Sequence, residues 1–115
     1  MNNKAYYKGL AGEMLALKYL QCKGMQHIQS RYKTRYGEID LIMKDGDTLV
    51  FVEVKYRSKA SAGEGLMSID QHKQDRILLA IEQYVYDNAI DSDIRIDAIE
   101  ISADGIYYVA NAISA

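Results

Sequence analysis

At 115 residues the chain is long enough for one domain, residues 1–115, around one core. Hydrophobic residues make up 49% and charged residues 26%, a balance that excludes a disordered or fibrous chain. The formal net charge of −2 gives no general reason to expect a polyanion as partner, and no run is long enough to span a bilayer. The single cysteine, Cys22, cannot close an internal disulfide, and the first residues lack the apolar stretch of a signal peptide. A cytoplasmic protein with no membrane attachment is expected.

In chain order, residues 4–23 predict an amphipathic helix, with Tyr7, Leu10, Met14, Leu17 and Leu20 at helical spacing and Gly24 as the stop. Residues 26–35 predict a strand, after which Gly37 turns the chain. Residues 38–43 and 48–56 predict two strands joined by the tight-turn sequence Asp45-Gly46-Asp47. Residues 57–67 read as a small, polar, mobile loop. Ser68-x-x-Gln71 has the form of a capping box opening a second helix, about 69–87. Two strands, 94–101 and 106–110, follow around Ala103-Asp104-Gly105. The order α-β-β-β-α-β-β predicts an α/β fold with a mixed sheet flanked by helices.

Charge is unevenly distributed. Residues 1–36 carry seven basic side chains and one acidic, while residues 60–115 carry three basic and ten acidic. Such asymmetry fits an anionic partner for one face. It fits equally well a basic helix paired with the acidic half of the same domain.

The chemistry concentrates in Gly37-Glu38-Ile39-Asp40-Leu41-Ile42 and Val50-Phe51-Val52-Glu53-Val54-Lys55. Residues i and i+2 of a strand share a face, so Glu53 and Lys55 point one way and Val50, Val52 and Val54 the other, into a core. A hairpin of the two strands puts Asp40 beside Glu53. Paired carboxylates hold a hard cation through oxygen, and a lysine beside them can stabilise charge on phosphoryl oxygens. The same Glu-Val-Lys pattern also describes a salt-bridged strand face. Three further polar residues interrupt apolar stretches. Glu13 falls within the helix arc bounded by Leu17 and Leu20, either salt-bridged to a lysine such as Lys55 or serving as a further oxygen ligand. Lys73 shares a face with Ile77, Ala80 and Tyr84 near a helix N-terminus, either snorkelling past the core edge or binding phosphate. Asp97 is expected to pair with Arg95. Glu13, Asp40, Glu53 and Lys55 are expected to converge on one sheet face.

Gly12-Glu13 with Ala16 and Tyr19-Leu20, the Gly-Glu-Ile-Asp-Leu-Ile block, Phe51-Val52-Glu53-Val54-Lys55-x-Arg57, and Lys73-x-x-Arg76-Ile77 resemble the YraN family of small bacterial proteins. That family is similar to archaeal Holliday junction resolvases and to the restriction-endonuclease-like PD-(D/E)xK nucleases. The resemblance covers nearly the whole chain, with Ile39 standing where the motif has proline. It implies a restriction-endonuclease-like fold and a divalent-metal-dependent nuclease that hydrolyses DNA phosphodiester bonds, with branched or structured DNA as substrate. Asp40, Glu53 and the Val54 carbonyl would bind Mg²⁺ or Mn²⁺. Lys55 would position the attacking water and stabilise developing charge, and Glu13 would support the metal or its water. Arg57, Lys73 and Arg76 would contact phosphate, as would the basic first helix. Two other readings keep the same fold: a non-catalytic nucleic-acid-binding module, and an interaction subunit of a DNA-processing complex. Cutting both strands symmetrically would call for a homodimer.

Overall fold

The computed structural model describes residues 4–60, 63, 64, 66 and 69–114, with side chains from Gly9 onward. Helix α1 (Lys4–Cys22) precedes strands β1 (Gln26–Thr34), β2 (Gly37–Asp45) and β3 (Thr48–Tyr56). Helix α2 (Gln71–Asp87) and strands β4 (Ile94–Ser102) and β5 (Gly105–Ile113) complete the order that the sequence predicts. The strands form one sheet in chain order, parallel between β3 and β4 and antiparallel elsewhere. A parallel step needs a crossover, and α2 lies within the connection that makes it. This mixed α/β architecture is compatible with the restriction-endonuclease-like fold expected.

The sheet buries both faces, which corrects the expectation of one core. On one face Ala16 and Leu20 of α1 pack on Leu41, Met43, Val50, Val52, Ile99 and Ile101. On the other, Ala80, Ile81 and Tyr84 of α2 pack on Ile42, Phe51, Ile96 and Ala98. Every residue from Leu49 to Glu53 is therefore buried, and β3 is the spine of the molecule.

Helix α1 meets the sheet through small residues. A Cβ at Gly12 would stand 3.0 Å from Cδ2 of Tyr56, so the helix backbone approaches β3 closely there. Gly12, Ala16 and Leu20 form the buried stripe, and Met14, placed inward by periodicity, is 61% exposed. Tyr7 lies outside the described side chains. The helix ends in a Schellman motif: Met25 N–H donates to the Leu20 carbonyl and Gly24 N–H to that of Gln21. Gly24 takes φ +95°, and Met25 packs into the same cluster as Leu20.

The β2–β3 hairpin closes through Gly46 and Asp47, with Gly46 at φ +61°, as a two-residue loop requires. Helix α2 begins later than predicted, and its N-cap is Asp70, whose side chain accepts from Lys73 N–H at 2.9 Å. Ser68 lies outside the described residues. Gln71 sits inside the helix and donates to Asp75. Within the predicted loop 57–67, Leu66 packs against the α2-side core and Gly63 lies against Tyr107.

Candidate functional site

The β2–β3 ladder runs from Asp45 opposite Thr48 to Leu41 opposite Val52 and goes no further. Beyond that point Val54 N–H donates to Asp40 Oδ2 at 2.8 Å, a side chain taking the place of a strand carbonyl. The N–H and C=O of one strand residue face the same neighbour, so the Val54 carbonyl also faces the cleft where the strands part. Glu53, one residue back, is 9% exposed on the α2 side of the sheet. From α2, Lys73 extends its Nζ to 3.8 Å from Glu53 Oε1. Asp40, Glu53 and Lys73 thus meet at one place, and Lys55, two residues beyond Glu53 on β3, is near enough for its charge to act on both carboxylates.

Their electrostatics follow from burial. Glu53 is pushed up to about 8, first by burial and then by the Asp40 charge, with Lys73 and Lys55 pulling back. Asp40 is pushed up to about 6, again mainly by burial, against the pull of the Val54 N–H. Lys55 is pushed down to about 8 by burial and by the neighbouring Lys73 ammonium. The two acids hold their protons too tightly, and the lysine holds its proton too loosely.

Several expectations are corrected here. Glu13 does not share a sheet face with the others: it belongs to α1, beside Leu41 and Ser30, on the opposite side from Glu53. Its charged partner is Arg31, Nε to Oε1 3.4 Å, not Lys55. It still feels the site around the strand end, because burial and then Asp40 raise its pKa. Arg31 lies between Ser30 and Tyr32, which pair with Leu41 and Ile39, and takes φ +51°, a left-handed conformation that is costly for arginine. Arg57 is tied to Glu100, Nε to Oε1 3.8 Å, and Glu100 is fully buried on β4 opposite Lys55. Lys73 reaches the carboxylates, with Glu53 as its charged partner. Arg76 Nε donates to the Tyr36 carbonyl at 2.9 Å, which anchors α2 to the β1–β2 turn.

Two further acids, Glu38 and Glu100, contribute outside the expected set. The Glu38 charge raises Asp40, Glu53 and Glu13 alike. Its signal was the two-residue spacing from Asp40, which puts both on one strand face. Glu100 was signalled by a lone acid between Ile99 and Ile101. Arg95 and Asp97 pair as expected, at 2.9 Å and 3.0 Å, away from the site.

Among the described residues no group of three or more His, Cys, Asp or Glu side chains is arranged to hold a metal ion. Mg²⁺ nevertheless makes modest demands, since it keeps several waters and binds through one or two carboxylates plus substrate phosphates. Asp40, Glu53 and the Val54 carbonyl meet that requirement. The raised carboxylates fit it as well, because a site where two acids resist ionising is short of positive charge.

This makes stability dependent on pH. Asp40 and Glu53 have folded values above their ordinary 3.8 and 4.5, so between about pH 4 and 8 the folded state binds more protons than the unfolded. Stability therefore falls as pH rises through that window. Lys55, pushed down, acts oppositely from about pH 8 upward. In thermal melts without metal, wild type should lose melting temperature between about pH 5 and pH 8, and Glu53→Gln should lose less. A wild-type slope of the other sign, or one unchanged in Glu53→Gln, contradicts the assignment.

Fold and site together define a mixed α/β protein with a buried carboxylate, Glu53, a half-buried one, Asp40, and two lysines gathered where its central hairpin opens. The chain belongs to the uncharacterised protein family UPF0102, which it matches over residues 12–101. It is similar to a UPF0102 protein of Shewanella woodyi, 42% identical over 104 residues, covering 90% of this chain and 89% of the relative. A UPF0102 protein of Aeromonas hydrophila is 43% identical over 108 residues, covering 91% and 83%. One from Methylococcus capsulatus is 39% identical over 94 residues, covering 82% and 76%. No helix among the described residues is long and apolar enough to cross a membrane.

Proposed function

We propose that this protein is a divalent-metal-dependent nuclease that hydrolyses DNA phosphodiester bonds. The observation that carries the reading is the opening of the β2–β3 hairpin, where Asp40 caps the Val54 N–H beside Glu53 and two lysines. The resemblance to the YraN family and to PD-(D/E)xK nucleases agrees with it, and favours branched or structured DNA as substrate. A cytoplasmic location and, for symmetric cutting of both strands, a homodimer belong to the same proposal.

Asp40, Glu53 and the Val54 carbonyl would hold Mg²⁺ or Mn²⁺. When bound, the cation supplies Lewis-acid charge to a phosphoryl oxygen. Lys55, whose charge acts on both carboxylates, would donate to the scissile phosphate and orient the attacking water. Its lowered pKa leaves a fraction of Nζ neutral near pH 8, able to accept a proton from that water. Lys73 would exchange its contact with Glu53 for a phosphate oxygen as DNA arrives. Arg76, fixed by the Tyr36 carbonyl, and Arg57, held by Glu100, would contact the nucleotides that flank the cleaved bond. Glu13, held by Arg31, would orient water at the far side of Asp40.

The Lys73–Glu53 contact also favours a second reading: a non-catalytic nucleic-acid-binding module or interaction subunit, in which the ammonium and not a metal neutralises Glu53. Calorimetric titration with Mg²⁺ and Mn²⁺ separates the two. The nuclease reading expects binding to the wild type, and a loss in Asp40→Asn greater than the roughly tenfold cost of even an outer-shell change. No binding, or equal binding in both proteins, leaves the second reading standing.

A further inference from the structure

Between the first half of α2 and the β1–β2 turn lies a cleft of about 370 Å³, with Glu53 and Lys73 in its lining. That volume is within the range of sites for small ligands, about 300–1,000 Å³. Its walls are of two kinds. Tyr36, Ile77 and Ala80 are apolar surfaces, while Glu38 and Arg76 supply an acceptor and a donor. The tyrosine is held in place: Arg35 stacks 4.9 Å from its ring centroid and donates to its hydroxyl at 2.7 Å. The Arg76 bond to the Tyr36 carbonyl fixes the wall to the helix.

A phosphate suits this cleft poorly. Apart from Glu53, which belongs to the metal site, Glu38 and Asp70 face it against Lys73 and Arg76, so the rest of the lining is not net positive. A flat, uncharged ring with polar edges suits it better, since its faces meet tyrosine and isoleucine and its edge meets carboxylate and guanidinium. We infer that the cleft receives one unstacked nucleobase of DNA, belonging to the nucleotide beside the phosphate presented to Asp40 and Glu53. A base inside a duplex cannot enter a recess walled by a helix and a turn without leaving the stack, and that costs least where it is already unpaired. The substrate class is therefore DNA with an unpaired nucleotide next to the cleaved bond: a flap, a branch point or a single strand. This rests on the nuclease reading and gives it a substrate.

The test measures the affinity of the full chain by fluorescence anisotropy, with Ca²⁺ replacing Mg²⁺, for flap DNA carrying a single abasic site at each position around the branch. One unpaired position should be sensitive, losing affinity about tenfold when its base is removed, as expected for a base stacked on an aromatic ring. In Tyr36→Leu, which keeps apolar bulk, intact and abasic DNA should bind alike. No sensitive position in the wild type, or an undiminished difference in Tyr36→Leu, overturns the inference. The wild-type scan decides alone if that variant does not fold. A parallel cleavage assay with Mg²⁺ keeps the two readings apart. Cleavage without a sensitive position removes the cleft from the mechanism and leaves the nuclease standing. A sensitive position without cleavage on any substrate removes the nuclease and leaves a base-binding cleft.

Discussion

Lys55→Ala should abolish DNA cleavage while leaving DNA affinity nearly unchanged. Lys55 is two residues from Glu53 on the same face of β3, half-buried, and its pKa is depressed by burial and by Lys73. A group in that position acts on charge that develops at the scissile phosphate, and losing such a stabiliser costs about 10²–10³ in rate. General affinity comes from neutralising backbone phosphates further along the strand. Lys73 should behave differently. Its contact with Glu53 places it at the same carboxylates, so Lys73→Ala should slow cleavage and also weaken binding. Arg57→Ala should weaken binding and flatten its salt dependence by about one unit of slope. Binding titrations at several salt concentrations beside a cleavage assay measure all three. Wild-type cleavage by Lys55→Ala would rule out the mechanism proposed here.

Asp97→Ala should be the most destabilising of the substitutions considered. Asp97 is fully buried, and all its bonds are made within the sheet. Oδ1 accepts from Arg95 Nε at 2.9 Å and from Asn111 N–H at 2.8 Å, while Oδ2 accepts from Arg95 and from the Tyr108 hydroxyl. The β4–β5 register slips between Ile96 and Ala98, and Asn111 takes φ +54°, so the carboxylate satisfies a backbone group that the ladder leaves over. Removing it leaves the Tyr108 hydroxyl and the Asn111 N–H without their acceptor and Arg95 with Asp45 as its remaining carboxylate, a loss of about 3–5 kcal/mol. Urea denaturation at neutral pH measures it. A loss below about 1 kcal/mol, the level of a surface pair, would show that the network does not hold β5 in place.

Local sequence pattern governs some of these residues and not others. The spacing of Glu53 and Lys55 placed both correctly on one strand face, and Arg95 with Asp97 paired as read, because two-residue periodicity is a property of the strand itself. Helix α1 forms as its periodicity predicts and buries Leu20 as expected, but the rest of its buried face differs. Hydrophobic periodicity selected Met14, whereas Gly12 and Ala16 make the close approach, and small residues give that signal only a weak voice.

The order of elements, the turns at Gly24 and Gly46, and the acids and lysines that can carry chemistry are all legible along the chain. These depend on residues within a few positions of one another. Tertiary structure alone decided which charges meet. Glu13 went to Arg31 and not to Lys55, Arg57 to the buried Glu100, and Lys73 to Glu53. Only the packing of α2 across the sheet created the cleft behind Tyr36. Long charged side chains can reach several partners, and the choice among them depends on distance and burial between elements remote in sequence, which no local pattern encodes.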